Sequence, residues 1–168
     1  MKLIKPYFEI IEQEPGLDGI YKQIELAGRS CYKSEDRITE DSAEKFVNMI
    51  KDRQHTAMLE HGTVYLYIHK DYAYNVIGDN WVTEQYLSNS YSVINTDSYG
   101  NYYITTNYRV LYENDWLDDL KYLCEPTKYH EKRITVKFIC DRGILAEFTR
   151  HRVFSFAAES TRRITMAA

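Results

Sequence analysis

The sequence predicts an α+β fold, with one domain over residues 1–168 in which helices flank a mixed or antiparallel sheet. Three observations favour this class. Apolar and polar residues alternate at 62–69 and again at 133–140, as they do in strands with one buried side. Apolar residues recur at helical spacing over 41–53. The length of 168 residues is also sufficient for one hydrophobic core.

The N-terminal half contains regular patterns separated by turn residues. The predicted elements are a strand at 2–11, helices at 18–29 and 41–53, and a strand at 62–69. Pro6 has no N–H to donate, which places the first strand at a sheet edge. Asp41 and Glu44 have the spacing of a capping box, so we expect the second helix to begin with this pair and to end near 54–55.

The C-terminal half is less regular. Residues 70–100 are rich in Asn, Asp, Ser and Tyr and are interpreted as an irregular excursion with a short helix near 79–88 and a turn at 98–101. The elements predicted after it are a β-rich segment at 102–112, a short helix at 115–124, a strand at 133–140 and a helix at 144–151.

The charge of the chain is unevenly distributed. The net charge is −4, which disfavours a general nucleic-acid-binding protein. The segment 142–163 contains five arginines and two glutamates, a balance of +3 that leaves −7 for the remainder. Because the guanidinium fork recognises phosphate, this distribution indicates a small anionic ligand rather than a long polyanion.

Cysteine content and hydropathy disfavour several other classes of protein. Cys31, Cys124 and Cys140 form no CxxC pair, which argues against a disulfide framework and a zinc ribbon and favours buried or half-buried thiols. No apolar run approaches the length of a membrane span, and the N-terminus has no signal-peptide pattern. We therefore expect a cytoplasmic protein that does not enter a membrane.

Three short motifs occur in order along the chain. Arg150-His151-Arg152 is followed by seven residues and then by Ser160. Upstream lies His55-Thr-Ala-Met-Leu-Glu60-His61, and earlier still lies Cys31-Tyr-Lys-Ser with the helical pattern at 38–46. Together these segments resemble the flavin-dependent thymidylate synthases, also called thymidylate synthase-complementing proteins. The resemblance covers most of the chain and implies that family's fold, with 70–132 as a long insertion.

The resemblance also implies an activity and a set of site residues. The expected reaction is the reductive methylation of dUMP to dTMP, with methylenetetrahydrofolate as carbon donor, FAD as hydride carrier and NADPH as reductant, in a homotetramer. The residues expected on the flavin side are His55, Glu60, Arg150, His151 and Arg152. The residues expected around dUMP are Glu147, Arg150, Glu159, Ser160 and Arg162, of which Arg150, Ser160 and Arg162 are also expected to be catalytic.

These residue types suit the expected chemistry. Methylation at C5 of uracil requires electron density on that carbon and a nucleotide phosphate that is held still. Arginines supply fixed positive charge near the ring oxygens and the phosphate without changing their protonation state. The hydride is the contribution of the cofactor, and the protein contributes orientation and electrostatics.

Simpler interpretations exist for individual residues. The Arg-His-Arg run is also compatible with a solvated basic helix end, and Ser160 with a helix N-cap. The segment 55–61 does not follow the His-Glu-x-x-His order of zinc sites, so no metal is expected. Asn107 and Arg109 share one face of a predicted strand, and for them a surface pair is the favoured interpretation.

The chain departs from the family pattern at several positions. Ala158 replaces a common Gln, Arg163 a common Tyr, Gln54 the Gly before the histidine, and Ala57 a Ser or Thr. Relatives continue beyond the position of Ala168, so the sequence is interpreted as C-terminally truncated. Two other functions are therefore considered: a remnant that binds nucleotide or flavin without catalysis, and a single-stranded nucleic-acid-binding module that uses the arginines and tyrosines.

Overall fold

The computed structural model describes residues 5–71, 81–151 and 153–159. Within these ranges the chain contains both helices and antiparallel strands, which confirms the α+β class. The described strands form two separate antiparallel sheets, one of three strands and one of two. The expected single sheet is therefore divided, and the two parts bring different motif segments into position.

Two long helices form the first half of the core. α1 (Gly16–Tyr32) and α2 (Ser42–Asp52) pack against each other and are separated by a 3-10 turn at Glu35–Arg37. Both helices are predicted from the sequence, although α1 extends further at each end than expected. α1 ends at Tyr32, because the next residue, Lys33, has a φ of 49°, in the left-handed region that stops a helix.

The start of α2 differs from the predicted capping box. Asp41 occupies the N-cap position, but its side chain accepts no backbone hydrogen bond, because its backbone is not in the extended conformation that side-chain capping requires. The Ser42 hydroxyl instead accepts from the Thr39 N–H at 2.9 Å and donates to the Glu25 carboxylate at 2.8 Å. A side-chain contact to α1, rather than a capping box, therefore fixes this end of α2.

A three-stranded sheet forms the second half of the core. β2 (Thr63–Ile68) and β3 (Val93–Thr96) pair with opposite edges of β4 (Tyr102–Asn107). One face of β2 is buried as predicted, with Val64, Leu66 and Ile68 at 0 to 1% exposure. The opposite face is also partly covered, since the ring of Tyr65 packs edge-on against that of His130.

The sequence analysis does not predict β3, because two of its four residues, Asn95 and Thr96, are polar. Both are exposed in the structure. The predicted turn does follow it. Gly100 has a φ of 86°, and the Asp97 carboxylate accepts from the N–H groups of Tyr99 and Asn101. This hairpin holds β3 on β4 and closes the sheet on that side.

The β-rich segment predicted at 102–112 is wrong in its second half. β4 ends at Asn107, and a short helix, α4 (Tyr108–Glu113), begins directly after it. The Asn107 side chain accepts a hydrogen bond from the Val110 N–H at 3.0 Å, which caps the new helix. This cap turns the chain away from the sheet and places Arg109 on a helix rather than on a strand.

Two further short helices pack beside the sheet. α3 (Trp81–Leu87) lies within the helix predicted at 79–88, and a 3-10 helix at Leu117–Tyr122 lies within the helix predicted at 115–124. A buried hydrogen bond of 2.7 Å from the Tyr86 hydroxyl to the Asp119 carboxylate joins them. Burial opposes ionisation of both groups, and it raises the pKa of each.

The remaining strands form a two-stranded ribbon. β1 (Tyr7–Ile11) pairs antiparallel with β5 (Thr135–Ile139) and is an edge strand, but it begins after Pro6, so Pro6 does not lie within the strand as predicted. α5 (Arg142–Phe148) follows β5, two residues earlier than predicted, because the Asp141 carboxylate accepts from the N–H groups of Gly143 and Ile144. No residue of α5 is buried.

The hydrophobic core joins α1, α2 and the three-stranded sheet. Its fully buried members include Ile24, Val47, Leu59, Leu66 and Ile104. Tyr65, Tyr86, Tyr103 and Tyr108 are also buried, so these tyrosines serve packing rather than surface contact. None of the helices in the described part of the chain has the length and apolar composition that a membrane crossing requires.

Candidate functional site

The three motif segments, distant in sequence, lie against one another in the structure. The segment 153–159, here called the C-terminal segment, contacts both earlier motifs. Its Ser155 hydroxyl donates to the Glu60 carboxylate at 2.8 Å, and its Glu159 forms an ion pair with Lys33. The backbone of Ala158 hydrogen-bonds to the Cys31 thiol. The first and second motifs therefore form one surface on which part of the third lies.

The segment 55–61, here called the histidine segment, is positioned by a strained residue and a buried one. Gln54 has a φ of 57°, in the left-handed region, which turns the chain out of α2. A 3-10 helix at Thr56–His61 follows, anchored by the fully buried Leu59. This turn keeps His55 at the surface, where its Nδ1 lies 3.3 Å from the Tyr32 hydroxyl.

Glu60 is the centre of a network of charged side chains. One carboxylate oxygen is paired with the Arg109 guanidinium, and the other accepts from Ser155. Arg109 also donates to Glu113 through Nε at 2.8 Å, and Glu113 accepts from the Thr56 hydroxyl at 2.6 Å. Five side chains from three parts of the chain thus form one continuous series of contacts.

The interpretation of Asn107 and Arg109 as a surface pair is wrong. Asn107 is 4% exposed and caps α4 with its side chain. The Arg109 side chain is 33% exposed and is held by two carboxylates. The two residues do not act together, since the strand on which they were expected to share a face ends between them.

Two cavities meet at Arg109. One, of about 440 Å³, lies beside the histidine segment and is lined in part by Tyr32, His55 and Met58. The other, of about 290 Å³, lies between Glu60 and α4. The larger volume is within the range of small-ligand sites, but this cavity is largely open to solvent; ring, thioether and polar groups line it.

The predicted anion-binding residues are only partly described. Arg150 lies just beyond α5, with its side chain 73% exposed, and pairs with Glu147 at 3.0 Å. The ring of His151 lies 6.2 Å from that of Phe154. Neither Arg150 nor His151 lines either of the two cavities. Three further predicted site residues lie outside the described residues: Arg152, Ser160 and Arg162.

Burial and charge shift several ionisations around the site. Burial lowers the pKa of the His61 imidazole, although the Glu60 carboxylate and a hydrogen bond to the backbone of Phe156 oppose it. Burial works against ionisation of Glu113, but the hydrogen bond from Thr56 and the Arg109 guanidinium outweigh it and lower the Glu113 pKa. Burial raises the pKa of the Cys31 thiol, so a reactive thiolate is disfavoured there.

The sequence signal for some residues of this site is weak. Arg109 and Glu113 are four residues apart, which indicates a helix pair, but the surrounding β-rich composition conceals the helix. The contact of Arg109 with Glu60 joins residues 49 positions apart. Among the residues that the structure describes, no group of three or more His, Cys, Asp or Glu side chains is arranged to hold a metal ion.

Comparison with known proteins gives no match: no family model, no curated protein and no solved structure is similar to the chain. The resemblance to flavin-dependent thymidylate synthases therefore depends on the three motifs.

Proposed function

We propose that the chain binds FAD and dUMP and takes part in the reductive methylation of dUMP to dTMP, with methylenetetrahydrofolate and NADPH as co-substrates. The observation that carries the proposal is the contact between the three motif segments. Ser155 and Glu60 are 95 positions apart and hydrogen-bonded, and Lys33 pairs with Glu159. Motifs that serve one site are expected to meet in space, and the contacts of residues 153–159, between the arginines and Ser160 of the third motif, with the first two motifs support the proposal.

In this proposal the cavity of about 440 Å³ receives the flavin ring. Tyr32 and Met58 supply an aromatic edge and a polarisable thioether, and His55 supplies a ring nitrogen for hydrogen bonding. Bound FAD supplies the hydride. The protein is proposed to fix the position of the ring.

Arg150 is proposed to bind an anionic group of the nucleotide or the dinucleotide. Its pair with Glu147 is solvent-exposed on both sides and therefore weak. Replacing the Glu147 carboxylate with a phosphate as the partner of Arg150 therefore loses little interaction free energy. It gains more, because a phosphate accepts several charge-assisted hydrogen bonds. Arg152, Ser160 and Arg162 are proposed to complete the anion site by resemblance, and Glu159 to lie at its margin.

The proposal includes self-association. The ribbon exposes large apolar side chains, among them Phe8 at 63%, Ile10 at 60% and Phe138 at 51%. Contiguous exposed apolar surface of this kind is characteristic of protein interfaces. A second copy of the chain is the proposed partner, in a homo-oligomer that the family resemblance makes a tetramer.

FAD uptake followed by turnover tests the proposal. The chain is mixed with FAD, separated from free FAD by gel filtration, and assayed for dTMP formation and dUMP-dependent NADPH oxidation. Arg150→Met is expected to reduce dTMP formation, whereas Arg142→Met, at the other end of α5, is expected to leave it unchanged. Protein that takes up no FAD would contradict the proposal. Flavin binding without turnover would support the non-catalytic remnant, and steeply salt-dependent oligonucleotide binding would support the nucleic-acid module.

A further inference from the structure

Arg109 joins both ends of the histidine segment to one helix. Its Nη1 contacts Glu60, near the end of the 3-10 helix, and its Nε donates to Glu113. Glu113 accepts in turn from Thr56, at the start of the same 3-10 helix. The guanidinium therefore fixes the segment at two points, and a planar fork with five donors is well suited to hold two carboxylates at once.

The same guanidinium also acts on the C-terminal segment. Glu60 has one oxygen on Arg109 and the other on the Ser155 hydroxyl. If the guanidinium is removed, Glu60 and Glu113 become neighbouring carboxylates without a counter-charge, and their repulsion displaces Glu60. Ser155 then loses the acceptor that holds it. Arg109 thus reaches the third motif through the second.

The position and charge of this network indicate which part of a ligand it meets. Arg109 borders both cavities. One guanidinium between two carboxylates gives a local charge of −1, so a phosphate is repelled here. An uncharged ring with hydrogen-bonding groups is compatible with this surface.

We infer that Arg109 is a positioning residue for the flavin ring: it borders the cavity beside the histidine segment and, through Glu113, holds the Thr56 hydroxyl in the lining of that cavity. This inference rests on the proposed flavin-binding function. It assigns a role to a residue outside the three motifs, and it places the phosphate-binding arginines at a different part of the site.

A double-mutant cycle with FAD affinity as the readout tests the inference. The variants are Arg109→Met, Thr56→Val, their combination, and Arg109→Lys as the conservative replacement. Lys22→Met is the matched control, because Lys22 also bridges two carboxylates, Glu14 and Asp18, but lines neither cavity. The FAD Kd is measured from quenching of flavin fluorescence, and urea unfolding of each variant is measured in parallel.

Arg109→Met is expected to weaken FAD binding about tenfold or more, with partial recovery in Arg109→Lys and no change in Lys22→Met. Adding Thr56→Val to Arg109→Met is expected to have little further effect, since both act through Glu113. Two results would overturn the inference while leaving the proposed function intact: a wild-type Kd in Arg109→Met, or full additivity in the double variant. Absence of FAD binding by the wild-type chain would instead reject the proposed function.

Discussion

The hydroxyl of Ser155 donates to the carboxylate of Glu60 across 2.8 Å, although 95 positions separate the two residues. Replacing Ser155 with Ala is expected to lower the free energy of unfolding by about 0.5–1 kcal/mol, the low end for a hydrogen bond because Ser155 is exposed. Urea unfolding measures the change. Ser88→Ala, which removes an exposed hydroxyl bonded to the Gln85 carbonyl, is the control. An equal loss of stability in both variants would show that the bond of Ser155 to Glu60 contributes no more than a local bond of an exposed serine.

An ion pair within α1 includes a buried carboxylate that also accepts a hydrogen bond from the start of α2. Glu25 is 1% exposed and accepts from Nε and Nη2 of Arg29, both at 3.0 Å, and from Ser42. Glu25→Ala leaves the Arg29 guanidinium without its carboxylate and is expected to cost about 3 kcal/mol or more of unfolding free energy. Glu14→Ala, at an exposed ion pair, is expected to cost under about 1 kcal/mol. Equal losses in the two variants would contradict this assignment.

Protonation of two histidines is expected to make the free energy of unfolding depend on pH in the mildly acidic range. Burial lowers the pKa of His61 and of His130 below the ordinary value of 6.5, despite the hydrogen bond of His130 to the Leu66 carbonyl. The unfolded chain therefore binds more protons than the folded chain just below pH 6.5, so stability is full above that pH and falls as the pH decreases through the folded pKa values. His130→Gln is expected to lose less stability than the wild type between about pH 7.5 and 5.5. Parallel pH profiles for the two proteins would show that His130 does not contribute.

The left-handed conformation of Gln54 predicts a stabilising substitution. A side chain at φ of 57° costs about 1–2 kcal/mol, whereas Gly adopts this conformation freely but loses about 0.5–1 kcal/mol of chain entropy. Gln54→Gly is therefore expected to raise the free energy of unfolding by about 0.5–1 kcal/mol. Arg53→Gly, at an adjacent residue with φ of −86°, is the control and is expected to destabilise the protein. If both substitutions changed the free energy of unfolding in the same direction, relief of strain at Gln54 would be ruled out.

The regular elements could be predicted because their patterns are local. In α2, Ala43, Phe46, Val47 and Ile50 are all buried, and their spacing alone indicates a helix with one apolar face. The strand at β2 is equally clear from its alternation. The end of β4 was not predictable in this way. The strand stops because the Asn107 side chain caps a helix that begins inside a run of β-favouring residues.

Only part of the candidate site could be predicted. His55, Glu60 and Glu159 were expected near the site, and the structure brings their segments together. Whether they bind flavin or nucleotide stays a prediction. The partners that orient Glu60 were missed, since the contact with Arg109 depends on where the β4–α4 turn lies in space rather than on any pattern near residue 60.

Under the proposed function, the two-stranded ribbon would make ligand affinity and self-association interdependent. An isolated pair of strands is only marginally stable in water, and here the ring of Phe138 lies between those of Phe8 and Phe148. That aromatic row supports α5, after which Arg150 follows. If a second copy of the chain covers this row and Arg150 binds a phosphate, as proposed, then covering the row steadies the arginine. Phosphate binding and burial of the ribbon then favour each other by the same factor, in either direction. Diluting the protein would then weaken its hold on an anion without any change to the groups that contact it.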